Sequence, residues 1–171
     1  RIDAAYFELY KIFVSGEVSN GSVGVRFQLW HVAWLEFLQH PLTGVGLGQY
    51  YNEKLLLVKA GFAGSVVQKF QFAHNEPMHI LAEMGLLGFI SLMMMHLSSL
   101  LLCLHYKKEK FTLAIAGMLI VFTRFDISLS QVQLAYHTTT LFYCLLFAIV
   151  AGFMCRPAAP NNQLKKRIKS V

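Results

Sequence analysis

Residues 84–104 carry no Asp, Glu, Lys or Arg over 21 consecutive positions, and no other feature restricts the fold of this chain so tightly. At about 1.5 Å per residue such a helix covers about 31 Å, enough for a hydrocarbon core about 30 Å thick. Hydrocarbon offers no partner to backbone N–H and C=O groups, so the segment is predicted to cross as a helix. A second apolar run opens at Phe111 and meets Arg124 and Asp126, leaving a short span over 111–125 whose far end needs water or protein around it. A third, over 138–155, is uncharged and closes on Arg156 and Pro157, an interfacial anchor followed by a helix stop.

Composition supports a membrane protein. Hydrophobic residues make up 56% of the 171 and charged residues 14%, with a mean hydropathy of +0.49, which excludes an ordinary water-soluble monomer. The chain opens on Arg1, and residues 1–18 lack the basic, apolar and small-residue regions of a signal peptide, so it reads as a piece of a longer protein. A formal charge of +6 raises the question of nucleic acid, but the basic residues form no stripe with interleaved exposed aromatics. They are better explained as juxtamembrane charge, and no nucleic-acid partner is expected. Cys103, Cys144 and Cys155 sit in apolar stretches without paired spacing and read as small buried hydrophobes.

The basic residues also orient the spans. Lys107, Lys108 and Lys110 lie between the first two, and Lys165, Lys166, Arg167 and Lys169 follow the third, which places both segments in the cytoplasm. Residues 1–83 and the connection 124–137 then share the opposite face. The fold class is all-α and integral to the membrane: an extracytoplasmic helical region over 1–83, three spans within 84–156, and a flexible basic cytoplasmic tail over 157–171. In the first region Phe27, Trp30, Trp34, Phe37 and Leu38 recur at helical spacing, predicting an amphipathic helix over 25–39 that ends before Pro41. Residues 41–48 form a glycine-rich turn, and Asn75-Glu76-Pro77 supplies an N-cap and early proline for a helix running into the first span.

Two residues stand beside a plausible anion site: Arg26, near the start of the aromatic helix, and His74, just before the capping Asn75. N–H groups at a helix start favour a phosphate, and a guanidinium matches its oxygens with a planar fork of donors. A neutral imidazole takes a proton near pH 7. These parts suit sugar transfer from a diphosphate carrier. Taken alone they do not establish it, because an isolated His at a cap is more often structural and an isolated Arg at a helix start more often solvated.

Three stretches add to them: Arg26-Phe-Gln-Leu-Trp30, His40-Pro-Leu-Thr-Gly-Val-Gly-Leu-Gly48, and His74-Asn75-Glu-Pro-Met-His-Ile-Leu-Ala-Glu83-Met-Gly85-Leu-Leu-Gly88. In that order and spacing they resemble the O-antigen ligase and polymerase family of bacterial inner-membrane glycosyltransferases, as its C-terminal part. The resemblance implies transfer of a glycan from an undecaprenyl diphosphate carrier to a hydroxyl acceptor. Lipid A core is the favoured acceptor (ligase), ahead of a further glycan repeat (polymerase) or a protein side chain (oligosaccharyltransferase). It implies a periplasmic site in which His74 is the catalytic base and Arg26 handles the diphosphate, with Arg26, Asn75 and Glu83 as the substrate-binding set and no cofactor. The expected partners are the bilayer, the lipid-linked glycan, the acceptor and an N-terminal transmembrane half that carries further spans and basic residues, without which this piece is expected to be inactive.

Other signals have plainer explanations. Gly44, Gly46 and Gly48 lack the flanking strand of a dinucleotide loop and read as a turn. Gly85 and Gly88 would let membrane helices approach closely. Glu83 either orients His74 or faces water at the membrane boundary. Arg124 and Asp126 are expected to pair at the end of the second span. His96 should face a neighbouring helix, and the histidines share no metal-ligand spacing, so no metal is expected. The alternative of another class is a non-catalytic membrane subunit or transporter, which leaves the joint Arg26 and His74 motifs without a role.

Overall fold

The computed structural model describes residues 21–157; residues 1–20 and the tail beyond Pro157 lie outside the described residues. Every regular element described is helical: α1 (Ser22–Gln39), α2 (Tyr50–Lys59), α3 (Glu76–Tyr106), α4 (Phe111–Ser128) and α5 (His137–Cys155), with 3-10 turns at Ser65–Lys69 and Gln133–Ala135. Three of these, α3, α4 and α5, are long and apolar enough to cross a membrane. The chain is an all-α membrane protein.

Helix α1 begins three residues earlier than its pattern suggests and buries a different face. Val25, Leu29, Val32, Ala33 and Glu36 point inward, whereas Trp34 and Leu38 are 44% and 53% exposed. The helix is apolar on more than one side, so periodicity alone is ambiguous; the smaller, β-branched side packs more closely against α3. Val32 and Ala33 meet Tyr50, Ala73 and Ala82, and Val25 and Leu29 meet Val67. Trp30 sits at the boundary and donates its Nε1–H to the Ala73 carbonyl at 3.0 Å.

Helix α3 starts as its sequence dictates, with the Asn75 side chain accepting the Met78 N–H at 3.0 Å and Pro77 in the first turn. It breaks at Gly85, whose φ of 61° and ψ of −156° are open to glycine alone. The loop 41–48 fills the break. Val45 and Gly46 donate to the Ala82 and Glu83 carbonyls at 2.8 and 2.9 Å, and Leu86 and Leu87 donate to the Pro41 and Leu42 carbonyls at 2.8 and 3.3 Å. The close approach expected of Gly85 is therefore to this loop and not to a second membrane helix. Gly88 packs against Met84 and Ile80 of its own helix.

The small-residue contact between spans is elsewhere. A Cβ on Gly117 of α4 would stand 2.6 Å from Cys103 Sγ of α3, within a cluster of Cys103, Ala114 and Met154. Cys103 is buried as expected, but Cys144 and Cys155 are exposed on the surface of α5. His96 is buried, donates Nδ1–H to the Leu92 carbonyl at 2.9 Å and meets Phe125 of α4 edge-on.

Helix α4 runs past Arg124 to Ser128 because the charge there is matched. Arg124 does not pair with Asp126: residues two apart on a helix face different ways. It reaches Glu76 with two nitrogens at 2.8 and 3.2 Å, both partners nearly fully buried, and Glu76 also accepts the Leu134 N–H at 2.6 Å. The end of α4, the start of α3 and the α4–α5 connection are thereby tied together.

Candidate functional site

Arg26 and His74, forty-eight residues apart in the chain, line one pocket of about 280 Å³ with Ser22, Val25, Leu29, Val66, Phe70 and Gln131. One wall is α1, where Ser22 and Arg26 are one turn apart and share a face. The opposite wall is the connection from α2 to α3, and Gln131 comes from the α4–α5 connection. Arg26 is exposed to the pocket and has no ion-pair partner among the described residues.

The wall that carries His74 is irregular, and side chains of α1 and α2 hold it. Gly64 donates to the Gln28 side chain at 2.8 Å, Trp30 holds the Ala73 carbonyl, and the buried Lys54 amine of α2 donates to the Phe70 carbonyl. His74 adopts a left-handed conformation with φ 51°, uncommon for a residue with a Cβ, and stands edge-on to Phe70 with ring centroids 5.4 Å apart. Its neighbours fix it on both sides: Ala73 through Trp30, and Asn75 through a donor bond from Nδ2 to the Leu129 carbonyl at 3.0 Å. Backbone held this way fixes the direction in which the Cα–Cβ bond of His74 leaves the chain.

The start of α3 contributes less positive potential than the sequence suggests. Pro77 has no N–H, and the Met78 N–H is taken by Asn75, so two of the first positions of the helix offer no free donor, and Arg26 is the cation lining the pocket. Asn75 lies beside His74 but is occupied by the Met78 N–H and the Leu129 carbonyl. Glu83 is not in this pocket. It is two turns further along α3, where its carboxylate accepts the Tyr50 N–H at 3.4 Å and stands 3.6 Å from His79 Nε2. There it anchors the first turn of α2, and it does not touch His74.

Several residues carry no motif and escape sequence reading. Gln131 and Phe70 enter the pocket only through tertiary folding. A buried polar group of Glu36, Tyr50, Lys54, His79 and Glu83 lies between α1, α2 and α3. The one signal available for it was Glu36, which falls on the same helical stripe as Val25, Leu29 and Val32. No group of three His, Cys, Asp or Glu able to hold a metal occurs among the described residues.

A family model described as O-antigen ligase matches residues 2–93, more than half of the chain, and covers α1, α2, the loop 41–48, the Arg26 and His74 pocket walls and the break in α3. The chain belongs to the O-antigen ligase family. It is also 25% identical over 128 residues to an uncharacterized protein of Haemophilus influenzae, a match covering 72% of this chain and 32% of that protein. The chain thus spans about a third of the relative's length. The family match ends within the first span, so α4 and α5 are placed by the fold.

Proposed function

We propose that this chain is the C-terminal part of an inner-membrane glycosyltransferase that moves a glycan from an undecaprenyl diphosphate carrier to a hydroxyl of lipid A core, on the periplasmic face. The observation that carries the reading is that Arg26 and His74 meet in one pocket. One is a cation with no ion-pair partner among the described residues, and the other is held by its neighbours in a strained conformation. In the proposed step His74 takes the proton of the acceptor hydroxyl as its oxygen attacks the anomeric carbon. The bond from that carbon to the diphosphate breaks with inversion, and Arg26 stabilises the negative charge growing on the leaving oxygen. Diphosphate is a good leaving group, so a single base and a cation suffice for the displacement.

The test is transfer by the purified full-length protein at matched expression, with a lipid diphosphate-linked glycan as donor and lipid A core, a glycan repeat or a peptide as acceptor. His74→Ala should lower turnover by about 10²- to 10⁴-fold, the usual worth of a general base. Arg26→Ala should abolish most transfer, and Arg26→Lys should recover only part, since it restores the charge without the planar fork. Near-normal turnover of His74→Ala from about pH 6 to 9 removes the base assignment. Preference for the glycan repeat or the peptide moves the protein to the polymerase or oligosaccharyltransferase reading. Absence of transfer by the wild-type protein to every acceptor favours a non-catalytic subunit or transporter.

A further inference from the structure

We infer that the loop 41–48 is seated in the edge of the bilayer, with Leu42 and Leu47 against lipid acyl chains. The depth of the loop is set by α3. Because Leu86 and Leu87 donate to the Pro41 and Leu42 carbonyls, Leu42 lies level with the first residues of the uncharged membrane-crossing run. Leu47 shares a shallow groove with Leu87 and Ser91. The side chains at this level face outward: Leu42 is 64% and Leu47 71% exposed, beside Leu86 and Leu87 at 41% and 61%. The apolar outer surface of the span thus continues onto the loop at Leu42 and Leu47, with Thr43 exposed between them.

Most of its backbone donors are paired with protein, and the Leu42, Thr43 and Leu47 N–H groups are left to the water of the headgroup region, which suits the edge of the bilayer and not its core. Irregular chain survives at membrane depth only where its N–H and C=O groups are satisfied by protein. Here Gly44 donates to the His40 carbonyl, Val45 and Gly46 to Ala82 and Glu83, and Gln49 to Gly46, while the Pro41 and Leu42 carbonyls accept from α3. No Asp, Glu, Lys or Arg occurs from residue 37 to residue 52. The nearby carboxylate, Glu83, is buried and turned to the Tyr50 N–H. A loop lying in water needs no such pairing and gains nothing from two outward leucines. Lipid is the occupant that matches the chemistry and the continuity with α3.

The inference does not depend on the catalytic assignment and is tested without an activity assay. In the full-length protein, with Cys103, Cys144 and Cys155 replaced by Ala and any further native cysteines removed, single cysteines at Leu42 and Leu47 are spin-labelled. Leu87 serves as the membrane reference and the exposed Gln68 as the aqueous one. After reconstitution into phosphatidylethanolamine and phosphatidylglycerol vesicles, the labels at 42 and 47 should collide with oxygen in preference to a water-soluble nickel chelate, shifting toward the ratio at Leu87. Preference for the nickel chelate, as at Gln68, places the loop in water and overturns the inference. Low access to both reagents means that protein covers the loop, and overturns it equally. If a labelled variant does not accumulate, a benzophenone amino acid at the same position gives the answer: lipid adducts support the inference, and protein adducts or none refute it.

Discussion

Glu36 illustrates how one residue bears the cost of a buried polar core. Its side chain is fully buried on the inner face of α1, and neither carboxylate oxygen has a hydrogen-bond partner among the described residues. Burial pushes its carboxyl from the usual 4.5 up to about 9; Glu53 and Glu83 add to the rise and Lys54 opposes it. The same burial lowers the Lys54 amine to about 8. Because the folded-state value of Glu36 lies above its unfolded one, the stability linked to it is fully present below about pH 4.5 and is lost as pH rises through about 9. Lys54, depressed, works in the other window: its penalty is relieved only as pH rises from about 8 toward 10.5. Between pH 5 and 8 Lys54 therefore does not offset the Glu36 effect. Glu36→Gln should flatten the decline of thermal stability with pH in detergent, with wild type losing up to about 1.4 kcal/mol per pH unit relative to the variant. Parallel curves for the two proteins would show that the buried acid is not the titrating group.

The interlock between the loop 41–48 and helix α3 belongs to the scale of elements. Gly44 and Gly85 both have positive φ, and a Cβ on either would lie 2.3 to 2.6 Å from backbone of the opposing segment. Neither contact can relax by moving a flexible side chain. Gly44→Ala and Gly85→Ala should each separate the loop from the helix and cost more than the roughly 1 kcal/mol of a glycine merely strained by its dihedral. Gly48, with φ 74° and open space around it, is the control, and Gly48→Ala should cost about 1 kcal/mol or less. The measurement is the thermal midpoint of each variant in detergent. Equal losses at all three positions would show that close approach adds nothing to conformational strain. The break also matters for the site, since the same segment of α3 carries the cap beside His74 at one end and the loop at the other.

At the scale of the whole molecule, three spanning helices and the placement of lysines and arginines predict one orientation. Lys107, Lys108, Lys110 and the tail should be cytoplasmic, and His74 should lie on the opposite side. The hydrogen bond from Asn75 to Leu129 and the Arg124–Glu76 pair agree with this arrangement, since they join two segments predicted to share a face. Single cysteines at His74, Lys108 and Lys166, in a protein otherwise free of cysteine, should differ in intact spheroplasts. An impermeant thiol reagent should label position 74 alone, and labelling of position 166 would reverse the topology.

The all-helical class and the three spans were legible in the sequence because crossing a membrane is a one-dimensional demand: enough uncharged residues in a row, with charges at the ends. The cap at Asn75 was legible for a similar reason, since its chemistry is contained in three or four neighbouring residues. Arg26 and His74 stood out by motif, but nothing in their spacing places them in one pocket with Phe70 and Gln131. That juxtaposition depends on α1 packing its smaller face against α3, and on Gln28, Trp30 and Lys54 tethering an irregular segment. Arg124 pairing with Glu76, and Gly85 admitting a loop in place of a helix, were equally beyond reach, because each partner is more than forty residues away. Helix α2 and the buried group around Glu36 left no periodic signal strong enough to read. The sequence alone thus determined that the chain is helical and which three segments are apolar enough to leave water; the tertiary structure decided which side chains meet, because that is set by packing between surfaces whose apolar pattern allows more than one face.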